Sequence, residues 1–172
     1  RFDGLKIAFE VQLSTTFLDV VLDRREFYRQ EGGLLVWVMP SFDPNHRRMT
    51  ADDIFFPNNS NVLLVDAATA DLSKASGRLT LRCWIAHRVI GDDGRASTKW
   101  ECRLVAWDEL TRDLPQQRVY AVDVDGEEKA ARKRFATAAV RQGWFRYASC
   151  RDDAIDAVEH QKLFEALRDE CD

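Results

Sequence analysis

The sequence lacks the paired ligand spacings of a zinc protein. Its four cysteines and three histidines are scattered along 172 residues, and no two cysteines form a C-x-x-C pair. They are Cys83, Cys102, Cys150 and Cys171, with His46, His87 and His160. A structural zinc site draws its ligands from pairs at short spacing, so this pattern argues against one. Free thiols in a reducing cytosol explain the cysteines more simply, and we predict a cytoplasmic protein.

Long apolar runs are also missing. The longest is Leu34–Pro40, far below the roughly 20 residues of a membrane-spanning helix, and nothing resembles a signal peptide. Five Trp, ten Phe and a hydrophobic share of 45% are enough for a folded core. The net charge of −4 counts mildly against tight DNA binding, although basic residues can still cluster locally.

The first 40 residues have a clear strand–helix–strand pattern. Residues 6–13 alternate as a strand does, with Ile7, Phe9, Val11 and Leu13 on one face and Lys6, Ala8, Glu10 and Gln12 on the other. Ser14–Thr16 supplies N-cap residues for an amphipathic helix that reaches Gln30 and ends at Gly32-Gly33. Leu34–Met39 is continuously apolar, which indicates a strand buried on both faces of a mixed sheet covered by helices.

The rest of the chain continues this α/β pattern. We predict a helical turn at Thr50–Ile54, strand Asn61–Asp66, helix Asp71–Ala75, a β-hairpin of Leu79–Val89 and Thr98–Trp107, a turn at Asp108–Asp113, strand Val119–Val124, and helices Glu127–Gln142 and Asp152–Asp169. Residues 1–75 are interpreted as the core, and residues 76–172 as a hairpin and helical extension of the same domain. We expect Trp84, Trp100 and Trp107 to pack in the core and not to stack on bases.

Glu10 and Gln12 are the residues most suggestive of chemistry. Strand geometry puts them on one face, roughly 6.5–7 Å apart. A carboxylate can hold Mg²⁺, which lowers the pKa of a bound water, and a neighbouring donor can orient that water or stabilise charge on a phosphate.

These residues lie in a longer ordered pattern. Glu10-Val11-Gln12 is followed by Ser14, by Arg24 and Tyr28 on a helix, and by the apolar-Trp-apolar strand around Trp37. Residues 5–40 thereby resemble the core of competence protein CoiA-like nucleases, in the PD-(D/E)xK superfamily. The resemblance implies a restriction-endonuclease-like fold with an added β-hairpin and C-terminal helices. It also implies a DNA-directed nuclease that uses Mg²⁺ or Mn²⁺, with Glu10 as metal ligand and Gln12 in place of the usual lysine.

The superfamily also places an acidic metal ligand on the strand before Glu-x-Lys. Asp3 is the one candidate before Glu10, but Asp3-Gly4 is a hairpin signal. Asp3 would then lie about 23 Å from Glu10 along the strand, too far to share one metal ion. Since the chain starts at Arg1, we expect a fragment or processed product whose aspartate ligand lies upstream. We expect the chain from Arg1 to cut DNA poorly or not at all.

The predicted DNA contacts come from basic residues and from one tyrosine. Arg24 and Tyr28 lie one helical turn apart. They either line the cleft and contact phosphate or the catalytic carboxylates, or they form a helix-surface pair or place the Tyr28 ring in the core. Lys129, Arg132 and Lys133 share one helical face and are the best candidates for phosphate contacts, although such a face is often only solvated. His46-Arg47-Arg48 is a weaker signal in a loop. Asp66, and the pair Asp123 and Asp125, are better explained as turn and helix-start residues.

Three functions remain open from the sequence. The first is a metal-dependent DNA nuclease acting in competence, restriction or phage defence. The second is a nuclease-like module that has lost catalysis and binds nucleic acid or protein, as a homo-oligomer or within a larger complex. The third is an α/β domain in which Glu10 and Gln12 only form hydrogen bonds across the core.

Overall fold

The computed structural model describes residues 4, 6–14, 16–91 and 95–149. In chain order the elements are β1 Lys6–Val11, α1 Leu18–Gln30, β2 Gly33–Met39, α2 Met49–Phe55, β3 Asn61–Leu64, α3 Ala67–Ser76, β4 Thr80–Ile90, β5 Ala96–Ala106, β6 Thr111–Asp113, β7 Arg118–Tyr120 and α4 Val124–Ser149. Short 3-10 turns follow α2 and β5. None of the helices in these ranges is long and apolar enough to span a bilayer.

Five strands form a mixed sheet in the order β1-β2-β3-β4-β5. β1 and β3 both lie parallel to β2, whereas β4 is antiparallel to β3. β6 and β7 form a separate antiparallel pair. The prediction of a mixed sheet flanked by helices is therefore confirmed. The chain divides into two units, one of residues 1–87 and 98–125 and the other of residues 88–97 and 126–172.

The interior strand β2 is buried at all seven positions, as its continuous apolarity predicts. On one face, Leu34, Val36 and Val38 join a cluster that reaches Leu81, Trp107 and Val119. On the other face, Leu35 and Trp37 pack against Val21 of α1 and Ile54 of α2. Burial of a large aliphatic or aromatic side chain contributes about 1.5–3 kcal/mol, so β2 anchors both layers of the first unit.

The three tryptophans expected in the core do pack there. Trp107 is buried in the β2 cluster, and Trp84 and Trp100 pack against the cluster around Phe55. By contrast, the outer strand β1 leaves one apolar face open, with Phe9 45% and Val11 54% exposed. That face lies opposite the one that carries Glu10 and Gln12, as strand alternation requires.

The predicted start of the first helix is wrong. α1 begins at Leu18 after Phe17, and no side chain caps it. Thr16 is instead held by Thr50, whose hydroxyl accepts from the Thr16 N–H at 3.2 Å and donates to its carbonyl at 3.1 Å. A long-range contact has therefore replaced the local cap, and the chain stays extended before α1.

Asparagine side chains determine where β7 ends, and the predicted strand Val119–Val124 is wrong in its second half. Asn61 is fully buried, and its Oδ1 accepts from the N–H groups of Ala121 and Val122 at 3.0 and 3.2 Å. Its Nδ2 donates to Val122 O at 2.9 Å. Asn59 Oδ1 accepts from the Asp125 N–H at 2.8 Å, next to the start of α4 at Val124. The backbone groups after Tyr120 therefore bond to carboxamides and not to a neighbouring strand.

Other predicted boundaries differ by smaller amounts. α3 begins four residues before the predicted Asp71, because Asp66 and Thr69 form a capping box. The predicted turn at Thr50–Ile54 is the helix α2, and the predicted turn at Asp108–Asp113 includes the short strand β6. The helix predicted at Asp152–Asp169 lies outside the described residues, as do Asp3 and most of the hairpin predicted there. Residues 92–94, in the turn between β4 and β5, are outside them too.

Asn61→Ala is expected to lower the free energy of unfolding by about 2–4 kcal/mol, because it leaves several buried backbone groups without partners. Urea denaturation monitored by Trp fluorescence measures the change. Asn45→Ala is the matched control, since Asn45 is exposed and such a substitution changes stability by less than about 0.5 kcal/mol. Equal effects of the two substitutions would contradict the role given to the Asn61 carboxamide.

Asp66 makes part of the stability depend on pH. The Thr69 N–H donates to its carboxylate at 2.8 Å and Arg82 pairs with it at 3.1 Å, and these contacts, the first above all, lower the pKa of Asp66. A carboxylate whose pKa is lower in the folded state stabilises the fold above its ordinary pKa, and the contribution is lost as pH falls through the folded pKa.

Asp66→Asn retains a good N-cap but loses the charge. Its deficit in unfolding midpoint relative to wild type is expected to shrink as pH falls from about 6 to below the ordinary pKa of aspartate, near 3.9. Asp66→Ala, which also removes the cap, is expected to remain destabilised at every pH. Denaturation midpoints across this range test both variants, and a deficit of Asp66→Asn that does not change with pH would contradict the argument.

Candidate functional site

Glu10 lies in the carboxyl-terminal half of β1 and Gln12 one residue beyond its end, both on the face that α1 covers. The parallel register pairs Glu10 with Trp37 of β2. Next along the chain, the Gln12 N–H donates to the Val38 carbonyl at 2.9 Å, which continues the ladder one residue beyond β1. Parallel pairing with an intervening helix places the ends of both strands at one edge of the sheet, where α/β proteins commonly bind ligands.

Glu10 forms an ion pair with Arg24 of α1. Their side chains are 26% and 43% exposed, respectively, so water still reaches both partners. The Arg24 guanidinium also lies 5.8 Å from the centre of the Trp37 ring, within the distance of a cation–π contact. Of the two interpretations of Arg24 that the sequence left open, a cleft residue and a helix-surface residue, neither is tested by this contact alone; the structure places Arg24 against Glu10.

Gln12 is buried, with 8% of its surface exposed. Its Nε2 donates to the Ser14 carbonyl, which fixes the carboxamide toward the loop that follows β1. Gln12 also lines a cavity at the ends of β1 and β2.

The Tyr28 ring packs against the core, which is one of the alternatives that the sequence left open. It is half-buried against the cluster of Val21, Leu35, Trp37 and Ile54, and its ring meets Phe27 edge-on at 5.3 Å. Its neighbours are therefore mainly apolar, and Arg24 is the member of the helical pair that contacts Glu10.

The indole N–H of Trp37 is a buried donor without a partner among the described side chains. A buried unpaired donor costs about 1–3 kcal/mol. Because Trp37 is the strand neighbour of Glu10 and lies beneath Arg24, the unpaired donor belongs to the same group of residues as the ion pair.

The cavity beside Gln12 has a volume of about 240 Å³. Its walls come from the loop after β1, the end of β2, the long loop that follows and the start of α2. The polar members of its lining are Gln12, Ser14, Ser41, Asp43, His46, Arg47, Arg48 and Thr50. The tripeptide His46-Arg47-Arg48 was a weak signal in the sequence. Its position in the loop that follows the buried strand β2 could have raised its weight.

The basic residues predicted to contact DNA through a helix face belong to the second unit. Lys129, Arg132 and Lys133 are all exposed on α4. Arg132 is partly neutralised, since Glu128 accepts from its Nε and Nη2 at 2.9 and 2.7 Å. This face therefore remains a prediction for phosphate contact.

Within the described ranges, no group of three or more His, Cys, Asp or Glu side chains is arranged to hold a metal ion. Mg²⁺ in nucleotide enzymes commonly takes only one or two carboxylates, together with water and substrate phosphates. Glu10 fits one such position because its carboxylate is accessible to water. It would have to exchange its contact with Arg24 for the metal ion.

Asp66 and Asp123 have structural partners. Asp66 caps α3 and pairs with Arg82, and Asp123 accepts from Asn59 Nδ2 at 2.8 Å. Asp125 pairs with Arg118 at 3.0 Å. These carboxylates act as the turn and helix-start residues that the sequence favoured.

Comparison with known proteins assigns most of the chain to a family. Residues 2–125 match the family model described as a domain of unknown function, DUF6035. Among curated proteins and solved structures, none matches the chain significantly. The matched range includes all seven strands, Glu10, Gln12, Arg24 and the cavity. The chain therefore belongs to the DUF6035 family.

Proposed function

We propose that this protein is a metal-dependent DNA nuclease with a PD-(D/E)xK core, similar to CoiA-like proteins. The observation that carries the proposal is the placement of Glu10 and Gln12 on one face at the end of β1, which joins β2 in a parallel strand–helix–strand unit. The superfamily uses this unit for its Glu-x-Lys strand, the following helix and the next strand. A cavity lined by Gln12 and two arginines adds space for a phosphate at the same end of the sheet.

The residues have distinct roles in this proposal. A bound Mg²⁺ supplies Lewis acidity and lowers the pKa of a coordinated water. Glu10 would hold the ion, and Arg24, once released from Glu10, can pair with a phosphate oxygen as a forked donor. Gln12 can orient a water through its carboxamide, but it cannot supply the positive charge of the usual lysine. A second acidic ligand is expected upstream of Glu10.

A nuclease-like module without catalysis is the second candidate. The observation that favours it is the contact between Glu10 and Arg24, because a carboxylate neutralised by an arginine is less available to a metal ion. In this case the same face would bind nucleic acid or protein through Arg24 and the arginines of the cavity.

The nuclease proposal predicts that Glu10→Gln lowers the rate of Mg²⁺- or Mn²⁺-dependent DNA cleavage at least about a hundredfold, since even outer-shell changes at metal sites cost about 10–100-fold. The assay measures nicking of supercoiled DNA and shortening of linear DNA by the protein expressed from its complete gene. Glu26→Gln is the matched control, because Glu26 is an exposed residue of α1 that bonds to Arg29.

Wild type and Glu26→Gln are expected to cleave at equal rates. Equal cleavage by wild type and Glu10→Gln would remove Glu10 from the catalytic site. DNA binding without cleavage by the wild-type protein would favour the non-catalytic module. Failure of wild type both to bind and to cleave DNA would leave the third interpretation, in which Glu10 and Gln12 serve only the fold.

A further inference from the structure

The cavity next to Gln12 has the features of a small anion site. Its lining contains two arginines, Arg47 and Arg48, and one carboxylate, Asp43, and the Arg47 side chain also pairs with Asp52 outside the lining. Its volume of about 240 Å³ is below the roughly 300–1,000 Å³ of sites that enclose a whole drug-sized ligand. The cavity therefore suits one group of a longer chain, such as a single phosphate, better than a complete small molecule.

Arg47 is held in place by three contacts. Its Nε donates to Asp52 Oδ1 at 2.6 Å, its Nη1 donates to the Pro44 carbonyl at 3.1 Å, and its guanidinium lies 5.4 Å from the centre of the Trp100 ring. These contacts engage Nε, Nη1 and one face of the guanidinium. Nη2 makes no hydrogen bond within the described residues, and a guanidinium held in this way binds an anion with little further ordering.

Arg48 differs from Arg47 because it is exposed, and its side chain makes no hydrogen bond or ion pair among the described residues. His46 is engaged by Asp43, whose Oδ2 lies 3.1 Å from the ring Nδ1. Asp43 also accepts from the Asn45 N–H at 2.8 Å. Among the described residues, the Arg48 side chain has no ion-pair partner, unlike that of Arg47.

We propose that Arg47 and Arg48 form a subsite for a backbone phosphate of DNA, next to the phosphate that would be cleaved at Glu10. This inference rests on the proposed nuclease function, and it assigns DNA contact to the first unit as well as to the helix face already predicted. The chemistry is that of paired guanidinium donors, which match phosphate oxygens in geometry as well as charge. Gln12 forms the boundary between the two positions, since it lies two residues after Glu10 and lines the cavity.

The test measures the binding of a short fluorescein-labelled single-stranded DNA by fluorescence anisotropy. EDTA is present so that no cleavage occurs. Arg48→Gln is expected to weaken binding on the order of tenfold and to reduce the salt dependence by about one counterion. Lys99→Gln is the matched control, because Lys99 is an exposed cation of the same unit that does not line the cavity. It should bind as wild type does.

Two further measurements separate this inference from the nuclease proposal. Glu10→Gln should bind DNA in EDTA at least as tightly as wild type, whatever its cleavage rate, because the substitution releases Arg24 from its ion pair. An unlabelled DNA strand should displace the probe, whereas a poly-glutamate peptide of equal charge should not. Displacement of the probe by poly-glutamate at the same concentration as by DNA would overturn the assignment to phosphate.

The outcomes are distinguishable. Binding by Arg48→Gln that equals binding by Lys99→Gln would refute the subsite and leave cleavage at Glu10 untouched. DNA binding that depends on Arg48, in a wild-type protein that never cleaves, would support the subsite and overturn the catalytic proposal. Unchanged thermal unfolding of Arg48→Gln verifies that any loss of binding comes from the missing charge and not from a change in the fold.

Discussion

The burial of β2 on both faces is the constraint on which the rest of the first unit depends. A strand with no polar position cannot lie at a surface, so each face has to be covered by a separate layer. α1 and α2 cover the face that bears Trp37, and the segment from Trp107 to Val124 covers the other. Glu10 and Gln12 are directed toward the helical layer because β1 shares the pleat of β2.

A buried strand also needs partners for its backbone groups, and here carboxamides take the place of strands. β3 pairs with only the last two residues of β2. Near the start of β2, Gln117 accepts from the Leu35 N–H at 3.0 Å and donates to the Gly33 carbonyl at 2.8 Å. Gln117 and Asn61 thus connect the segment after β6 to the sheet through hydrogen bonds. These bonds supply partners for backbone groups that are buried and would otherwise be unpaired.

The sequence predicted the elements of the first 40 residues because their signals are local. Alternation in β1, the apolar run of β2 and the glycines after α1 each act within a few residues. The start of α1 and the end of β7 could not be predicted this way, since Thr50 and Asn61 determine them across about 34 and 60 residues. The same limit applies to the candidate site. The contact between Glu10 and Arg24, and the shared cavity of Gln12 and Arg47, join residues that are distant in the sequence, so local patterns could not predict them.

The burial of Gln12 gives a physical reason for a glutamine, and not a lysine, at this position. An ammonium group at a position that is 8% exposed would lose much of its hydration, which lowers the pKa of a lysine and costs free energy unless an anion compensates. The nearest anion of β1, Glu10, is already paired with Arg24. A neutral carboxamide avoids this cost and bonds to the Ser14 carbonyl. In the proposed nuclease, positive charge for the phosphate would then come from Arg24 on one side and from Arg47 and Arg48 on the other, where water still reaches the guanidinium groups.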